Sequence, residues 1–317
     1  MTVPTKPRTH VLNPSFTPLP YGLLTTLTDA MRETTDLHWQ IGVNYDSVCA
    51  NGGTTYDDCY AVSGTGVAPV GLPPTKAATT AITHRGATPF TVYAEVDCSA
   101  PDFWYRANEV VGDALTQSEQ WQVERAIWTG LAGGQLVVFP HLSANAEIID
   151  SNGITLQTST TTVSGGALGP FDVVEALGVI ESELANCYDG VGVIHVPRVL
   201  LPAFASEGLI KKDGSIYRTV GGNIIVFGAG YTGSSPSGVV PPSSVWIYAT
   251  GAMFVYRSDA QVLPIQPERG SSGSFDRMNN TIRAIAERTY VIGWDCCQIG
   301  VNVSTGGIIT GAVSTSG

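Results

Sequence analysis

Charge is scarce in this chain. Only 14% of its 317 residues are Asp, Glu, Lys or Arg, against the roughly one quarter usual in soluble domains. Lysine is the scarcest of the four, at positions 6, 76, 211 and 212 only. With 27 acids, 16 bases and a net charge of −11, the chain lacks the clustered cations with which a sequence-specific DNA reader holds phosphates. A mildly acidic wall suits a container of nucleic acid, because DNA does not adhere to it. Little charge with much Gly, Thr and Ser points to a β-rich chain that buries much of its surface against something else.

Long apolar runs are missing too. Nothing approaches the ~18 uninterrupted apolar residues of a spanning helix. The opening MTVPTKPRTHVLNPSF has no apolar stretch of the kind that makes a secretory signal. The expectation is a soluble protein made in a cytoplasm, with no membrane partner. Cysteines stand at 49, 59, 98, 187, 296 and 297, with no CxxC pair. A chain this long does not need a disulfide scaffold, and adjacent cysteines do not readily bridge each other. All six are expected to be reduced and structural.

Catalytic and cofactor motifs are also absent. GxxxxGK[ST], HExxH and GxSxG do not occur, and the histidines at 10, 38, 84, 141 and 195 share no i,i+4 pairing. His195, inside VGVIHVP, reads as a core or edge histidine. The run Gly228-Ala229-Gly230-Tyr231-Thr232-Gly233 is a literal GxGxxG after the strand-like NIIVF. A dinucleotide site would need a helix next and an acid about 20 residues on. Pro236, Pro241 and Pro242 bar the helix, and the next acid is Asp259. These glycines therefore read as loop residues. No enzyme activity, cofactor or metal is expected. From Ala126 to Pro197 there is no Lys or Arg but several acids, which reads as a solvated face.

What is present is a long helical stretch, Ser99 to Gly130. Ser99 can cap it, with Asp102 answering as a capping box, and Gly130 is a natural stop. Thirty residues of helix span roughly 45 Å. Phe103, Ala107, Val110, Ala114 and Trp121 mark an apolar stripe, widened by Trp104, Val111 and Leu115. Trp104, Val111, Leu115 and Trp121 are expected in the core. If truncating Trp121 spares melting but blocks assembly, it is an interface residue instead. Gly112 could divide the stretch into two helices.

Around this stretch the chain looks incomplete by itself. Residues 1 to about 20 carry five prolines and cannot pack as helix or central strand. Residues 51–97 hold two strand-like runs, TTYDDCYAV and TPFTVYAEVDC, read as a long hairpin excursion, which is marginal alone in water. LVVFPH, AEIID and GITLQTSTTTVS read as strands. Pro170 opens a helix whose stripe is Val173, Leu177, Ile180, Leu184 and Cys187. From Thr219 to Tyr256 there is no charged residue, which suggests burial in a subunit contact.

In order, the parts are the extended arm, the hairpin excursion, the long helix ending in ERAIWTG, strands and a Pro-started helix. VIHVPRVLLPAFASEGLI, TVGGNIIVFGAGYTG, VWIYATGAMFVYRSDAQVLP and a last strand through IRAIAERTYVIGWDCC follow. This series resembles the major capsid proteins of tailed double-stranded DNA bacteriophages, the Hong Kong 97-type fold shared with encapsulins, over essentially the whole chain. The resemblance implies an α+β fold with an N-terminal arm (1–50), an E-loop (51–97) and a peripheral domain with a spine helix (98–164). It also implies an axial domain (165–252) and a return to the peripheral domain (253–317). It implies a virion subunit, assembled in a host bacterial cytoplasm, that joins copies of itself as pentamers and hexamers in an icosahedral shell. Partners implied with it are a portal, a decoration or separate scaffold protein, and packaged double-stranded DNA in non-specific proximity. The alternatives are an encapsulin-like compartment holding cargo enzymes and, from another class, a secreted β-rich hydrolase or binding module. Family members that cross-link join an E-loop Lys to a peripheral-domain Asn beside a carboxylate. Lys76, Asn280 and Glu287 match by residue type only. Seven residues between Asn280 and Glu287 put them on opposite faces of a regular strand, so non-covalent stabilisation is expected.

Overall fold

A computed structural model describes residues 16–32, 34–47, 82–98, 107–163, 170–263, 275–276 and 281–306. Four α-helices occur among them: α1 (Leu23–Thr26), α2 (Ala107–Thr129), α3 (Val173–Cys187) and α4 (Leu201–Ser206). The rest is mainly strand and loop, so helices and sheets mix in an α+β arrangement.

The first sheet is built around the 14-residue strand Thr281–Trp294. Its longest partner is Pro89–Cys98, antiparallel in a register that runs from Val291 opposite Pro89 to Ile282 opposite Cys98. Met253–Arg257, Gln261–Leu263 and Phe275–Asp276 also pair with it. PFTVYAEVDC is therefore a strand of a central sheet and not one arm of a hairpin excursion. Its alternation gives the reason: Phe90 and Val92 are buried while Thr91 and Tyr93 are exposed, as a one-sided sheet requires. Val43–Ser47 and Thr83–Ala87 are antiparallel neighbours with Ser47 opposite Thr83; residues 48–81 between them lie outside the described residues.

The second sheet has seven strands, in the order 210–213, 216–219, 224–228, 193–197, 244–250, 298–304 and 161–163. Two of its strands come from outside 165–252, the span expected to form an axial domain. Ile224–Gly228 and Ser244–Thr250 lie in its interior and are almost wholly buried. The missing charge of 219–256 thus owes much to burial inside this chain, because both faces of these strands are covered. Ile194, Val196, Ile225 and Phe227 face α3 and α4, while Val193, Val226 and Tyr248 face the core around α2.

α3 starts where Asp172 accepts hydrogen bonds from the Val174 and Glu175 N–H groups, both at 2.8 Å, an N-cap. It buries Ala176, Leu177, Ile180 and Leu184. LVVFPH is a loop beyond its first residue. The N–H groups of Val137 and Val138 both donate to the Gly130 carbonyl at 3.0 Å, folding the chain back onto the end of α2. The sequence expectation of six reduced cysteines fails among the described residues: Cys187, at the end of α3, is disulfide-bonded to Cys297, with Cα atoms 6.0 Å apart, and Cys296 is disulfide-bonded as well.

α2 runs unbroken through Gly112 and stops at Gly130, whose φ of +73° suits a glycine stop. Residues 99–106, and Trp104 with them, lie outside the described residues. The buried series is Ala107, Val111, Leu115, Glu119, Val123 and Ile127, every fourth residue. Val110 and Ala114 are half-buried, and Trp121 is 45% exposed, with the Arg125 guanidinium 5.2 Å from its ring centroid. Ala107, Val111 and Leu115 of the expected stripe are thus buried, and Trp121 is not a core residue. Its true counterpart is Trp128, fully buried with its Nε1–H donating to Ser234 Oγ at 3.0 Å.

Trp128→Ala is expected to destabilise the fold by ~3–5 kcal/mol, whereas Trp121→Ala should cost about 1 kcal/mol or less, the loss of an exposed cation–π contact; denaturant titration of both variants checks the contrast. Cys187→Ser is expected to remove about 2–5 kcal/mol, because the bridge closes a sequence separation of 110 residues; an unchanged denaturation transition in the variant would show that the bridge adds nothing.

Candidate functional site

The densest set of buried polar contacts gathers on the C-terminal half of α2, where three distant parts of the chain meet. Glu124 is fully buried. Its Oε1 accepts from the Leu23 N–H at 2.9 Å and its Oε2 from the Gly230 N–H at 2.8 Å. One carboxylate thus joins residues near the start of the chain, the long helix and the GAGYTG loop. The approach is close on both sides. A Cβ on Gly22 would lie 2.2 Å from Gln120 Nε2, and one on Gly230 would lie 2.2 Å from the Trp121 carbonyl. These two glycines are needed for contact. Residues 19–27 are held along their length. Gln120 donates to the Leu19 carbonyl at 3.2 Å, Arg198 to the Pro20 carbonyl at 2.9 Å, and the Phe227 N–H to the Tyr21 carbonyl at 2.8 Å.

This geometry answers the GxGxxG question. A loop, not a helix, follows Ile224–Gly228, and a carboxylate takes the amide of Gly230 that a phosphate would need. His195 lies next door, fully buried, with its Nδ1 2.8 Å from the Tyr231 hydroxyl and its Nε2 3.3 Å from Thr250 Oγ1. Burial pulls its pKa down to about 3, so the ring is neutral across the physiological range. Tyr231 is pushed well above its ordinary pKa by burial and then by the Glu124 charge. Both ring nitrogens of His195 face hydroxyl oxygens within its own core, which is a packing role.

Two further buried knots hold the same helix and sheet. Glu119, the one charged residue in the every-fourth series, pairs with Arg288 Nη1 at 2.6 Å and accepts from the Tyr290 hydroxyl. Gln298 Nε2 donates to the carbonyls of His141 and Leu142 at 2.8 and 2.9 Å and to Thr160 Oγ1 at 2.7 Å. Gln157 closes that ring, donating to Gln298 Oε1 at 3.1 Å and accepting from the His141 N–H at 2.6 Å. Burial lowers the His141 pKa to about 4.

Of the residues singled out from sequence, Val111 and Leu115 are buried against the first sheet. Glu287 lies on Thr281–Trp294, opposite Tyr93 on one side and Gln261 on the other. Lys76 and Asn280 lie outside the described residues, so the cross-link trio is not brought together by what is described. Sequence reading passed over Glu119 and Glu124. Their sequence neighbours Gln117, Ser118, Gln120, Gln122 and Arg125 are polar; the one signal that could have marked Glu119 is its place four residues after Leu115 and four before Val123. Among the described residues no group of three or more His, Cys, Asp or Glu is placed to hold a metal ion, and no helix is long and apolar enough to cross a membrane. Large apolar side chains stand exposed on several surfaces, among them Trp121 and Tyr93 near α2 and Val239 and Val240 in the loop after Gly233.

Glu124 is where pH should act. Burial raises its pKa from 4.5 to about 7, against the lowering effect of the Gly230, Leu23 and Ala229 backbone amides and the more distant Arg198 charge. A carboxyl that titrates higher when folded holds its proton longer in the folded state. Its contribution is therefore most favourable below pH 4.5 and is lost as pH rises through 7, by roughly 3 kcal/mol. Glu124→Gln is expected to flatten that part of the stability profile between pH 4.5 and 7.5, measured as the difference between variant and wild-type denaturation midpoints. A parallel pair of profiles would show that Glu124 does not titrate in this window.

No family model matches the chain, and no curated protein matches it. Solved structures similar to it include the capsid of an empty GTA particle, 12% identical, covering 93% of this chain and all of that chain, TM-score 0.48. Microbacterium phage Oxtober96 is 13% identical, with 94% of this chain and 95% of that chain covered, TM-score 0.48. The capsid of Ralstonia phage GP4 is 10% identical, with 95% and 96% covered, TM-score 0.47.

Proposed function

We propose that this chain is the structural, non-enzymatic subunit of an icosahedral bacteriophage capsid. Copies assemble as pentamers and hexamers and enclose double-stranded DNA without sequence-specific contact. In this reading 1–50 is an arm reaching a neighbour and the long helix is a spine. The two sheets correspond broadly to a peripheral and an axial part. A portal, and a scaffold or decoration protein, are further partners, and the location is the virion after assembly in a bacterial cytoplasm. Shell contacts are non-covalent.

The observation that carries the reading is the pairing of Ser47 with Thr83. The strands on either side of residues 48–82 stand next to each other in one ladder, and in this reading the stretch between them is the loop that reaches a neighbouring copy. A chain organised this way, with large apolar side chains exposed on separate surfaces, is suited to bury them against copies of itself. The low charge of the chain agrees.

The test is to express the chain and examine it by size exclusion with negative-stain microscopy. Hexamers, pentamers or megadalton shells are expected, resolving to single 33.3 kDa chains on a denaturing gel. A stable monomer would overturn the proposal, and a covalent ladder would overturn its non-covalent part. Trp121→Ala is expected to keep near-wild-type melting and lose assembled particles, which the same column profile reads.

A further inference from the structure

A cleft of about 450 Å³ opens at the edge of the first sheet, beside Met31–Arg32 and the end of Met253–Arg257. Three of the chain's twelve arginines line it, Arg32, Arg257 and Arg288, with Asp259 the acid among them. Strand register explains the gathering. Arg32 is opposite Tyr256, one residue before Arg257, and Arg257 is opposite Tyr290, two residues after Arg288. Arg32 and Arg257 are exposed, and among the described residues neither has an ion-pair partner. Arg288 is only 18% exposed and gives Nη1 to Glu119. Its Nε is buried with no acceptor, an unsatisfied donor that is costly to keep. Trp39 and Leu37 add an apolar wall.

We propose that this cleft is a socket for an acidic side chain presented by a second copy of the chain; the inference rests on the self-assembly proposed above. A guanidinium fork matches the two oxygens of a carboxylate, and the exposed forks of Arg32 and Arg257 stand ready to make that contact. The chemistry of the cleft favours one carboxylate over a phosphate backbone. Asp259 stands in the lining and Glu119 holds Arg288, so a duplex carrying a charge every ~1.7 Å would meet acids as well as arginines. A second copy is the matching source, since each copy carries 27 acids against 16 bases. Trp39 and Leu37 receive the apolar atoms of the segment bearing the acid. An electrostatic socket of this kind selects register and orientation between copies more than it adds raw affinity.

The test compares full-length wild type with Arg32→Glu, Arg257→Glu and Arg257→Lys by sedimentation velocity at low and high salt. A 20-base-pair duplex is offered to each in a parallel binding assay. Each glutamate variant is expected to weaken self-association roughly five- to tenfold at low salt, with the gap closing as salt rises. Arg257→Lys should fall between wild type and Arg257→Glu, because a point charge pairs without the fork. Matching melting curves establish that the surface changes leave the fold intact. If wild type assembles and the glutamate variants assemble equally well, the socket is overturned while the shell reading stands. If wild type itself stays monomeric, both fall together. If the duplex binds wild type and is released by Arg257→Glu with assembly unchanged, the cleft holds phosphate and the proposal is wrong.

Discussion

The fold depends on how the C-terminal half of one helix is enclosed. α2 begins as a one-sided helix over the first sheet and ends packed on nearly every side, with Val123, Glu124, Ala126, Ile127 and Trp128 all buried. Trp128 lies between Tyr231 and Tyr248, 4.8 Å from each ring centroid, and both tyrosines belong to the second sheet and the loop beside it. Full enclosure leaves no water to solvate the backbone amides of the segments that cover the helix. Glu124 supplies acceptors for two of them. It costs desolvation to place a carboxylate there, and the amides it satisfies offset that cost. One side chain thus ties the Leu23 amide and the Gly230 amide to the same turn of the helix.

The same logic sets where polar groups occur elsewhere. Glu119 interrupts the apolar series of α2 only because Arg288 and Tyr290 project toward it from the longest strand. Gln157 and Gln298 serve a loop whose carbonyls at 141 and 142 would otherwise be left inside the protein. Each knot ties a helix or loop to a strand distant in sequence, so each fixes relative placement that apolar packing alone leaves loosely defined.

Much of the local structure was legible in the sequence and less of its pairing. The stripe of α3 reads directly, because Leu177, Ile180 and Leu184 repeat at helical spacing and no charge breaks them. The helical pattern of α2 also reads directly, with Val111 and Leu115 inside, and fails at Trp121. Period-based reading rejects Glu119 as a core position and prefers Trp121, whose size hides that half of it faces solvent or a partner. PFTVYAEVDC was recognised as a strand, yet nothing local says that it pairs with residues nearly 200 positions later. The Cys187–Cys297 bridge is invisible for the same reason, since only the tertiary fold brings those positions together. The prolines after the GxGxxG run speak against a following helix on local grounds, while its close seat on α2 is visible only in the structure.

The chain passes from one sheet to the other over a very short path. Thr281–Trp294 belongs to the first sheet and Gln298–Ser304 to the second, and only Asp295, Cys296 and Cys297 separate them. Four Cα steps reach at most about 14 Å, and Cys297 is fastened to α3. Sliding of one sheet past the other is thus closed off by a short tether. Gly251 and Ala252 make a second short link, between Ser244–Thr250 and Met253–Arg257, so the two sheets are sewn together by two adjacent crossings whose length the covalent chain fixes.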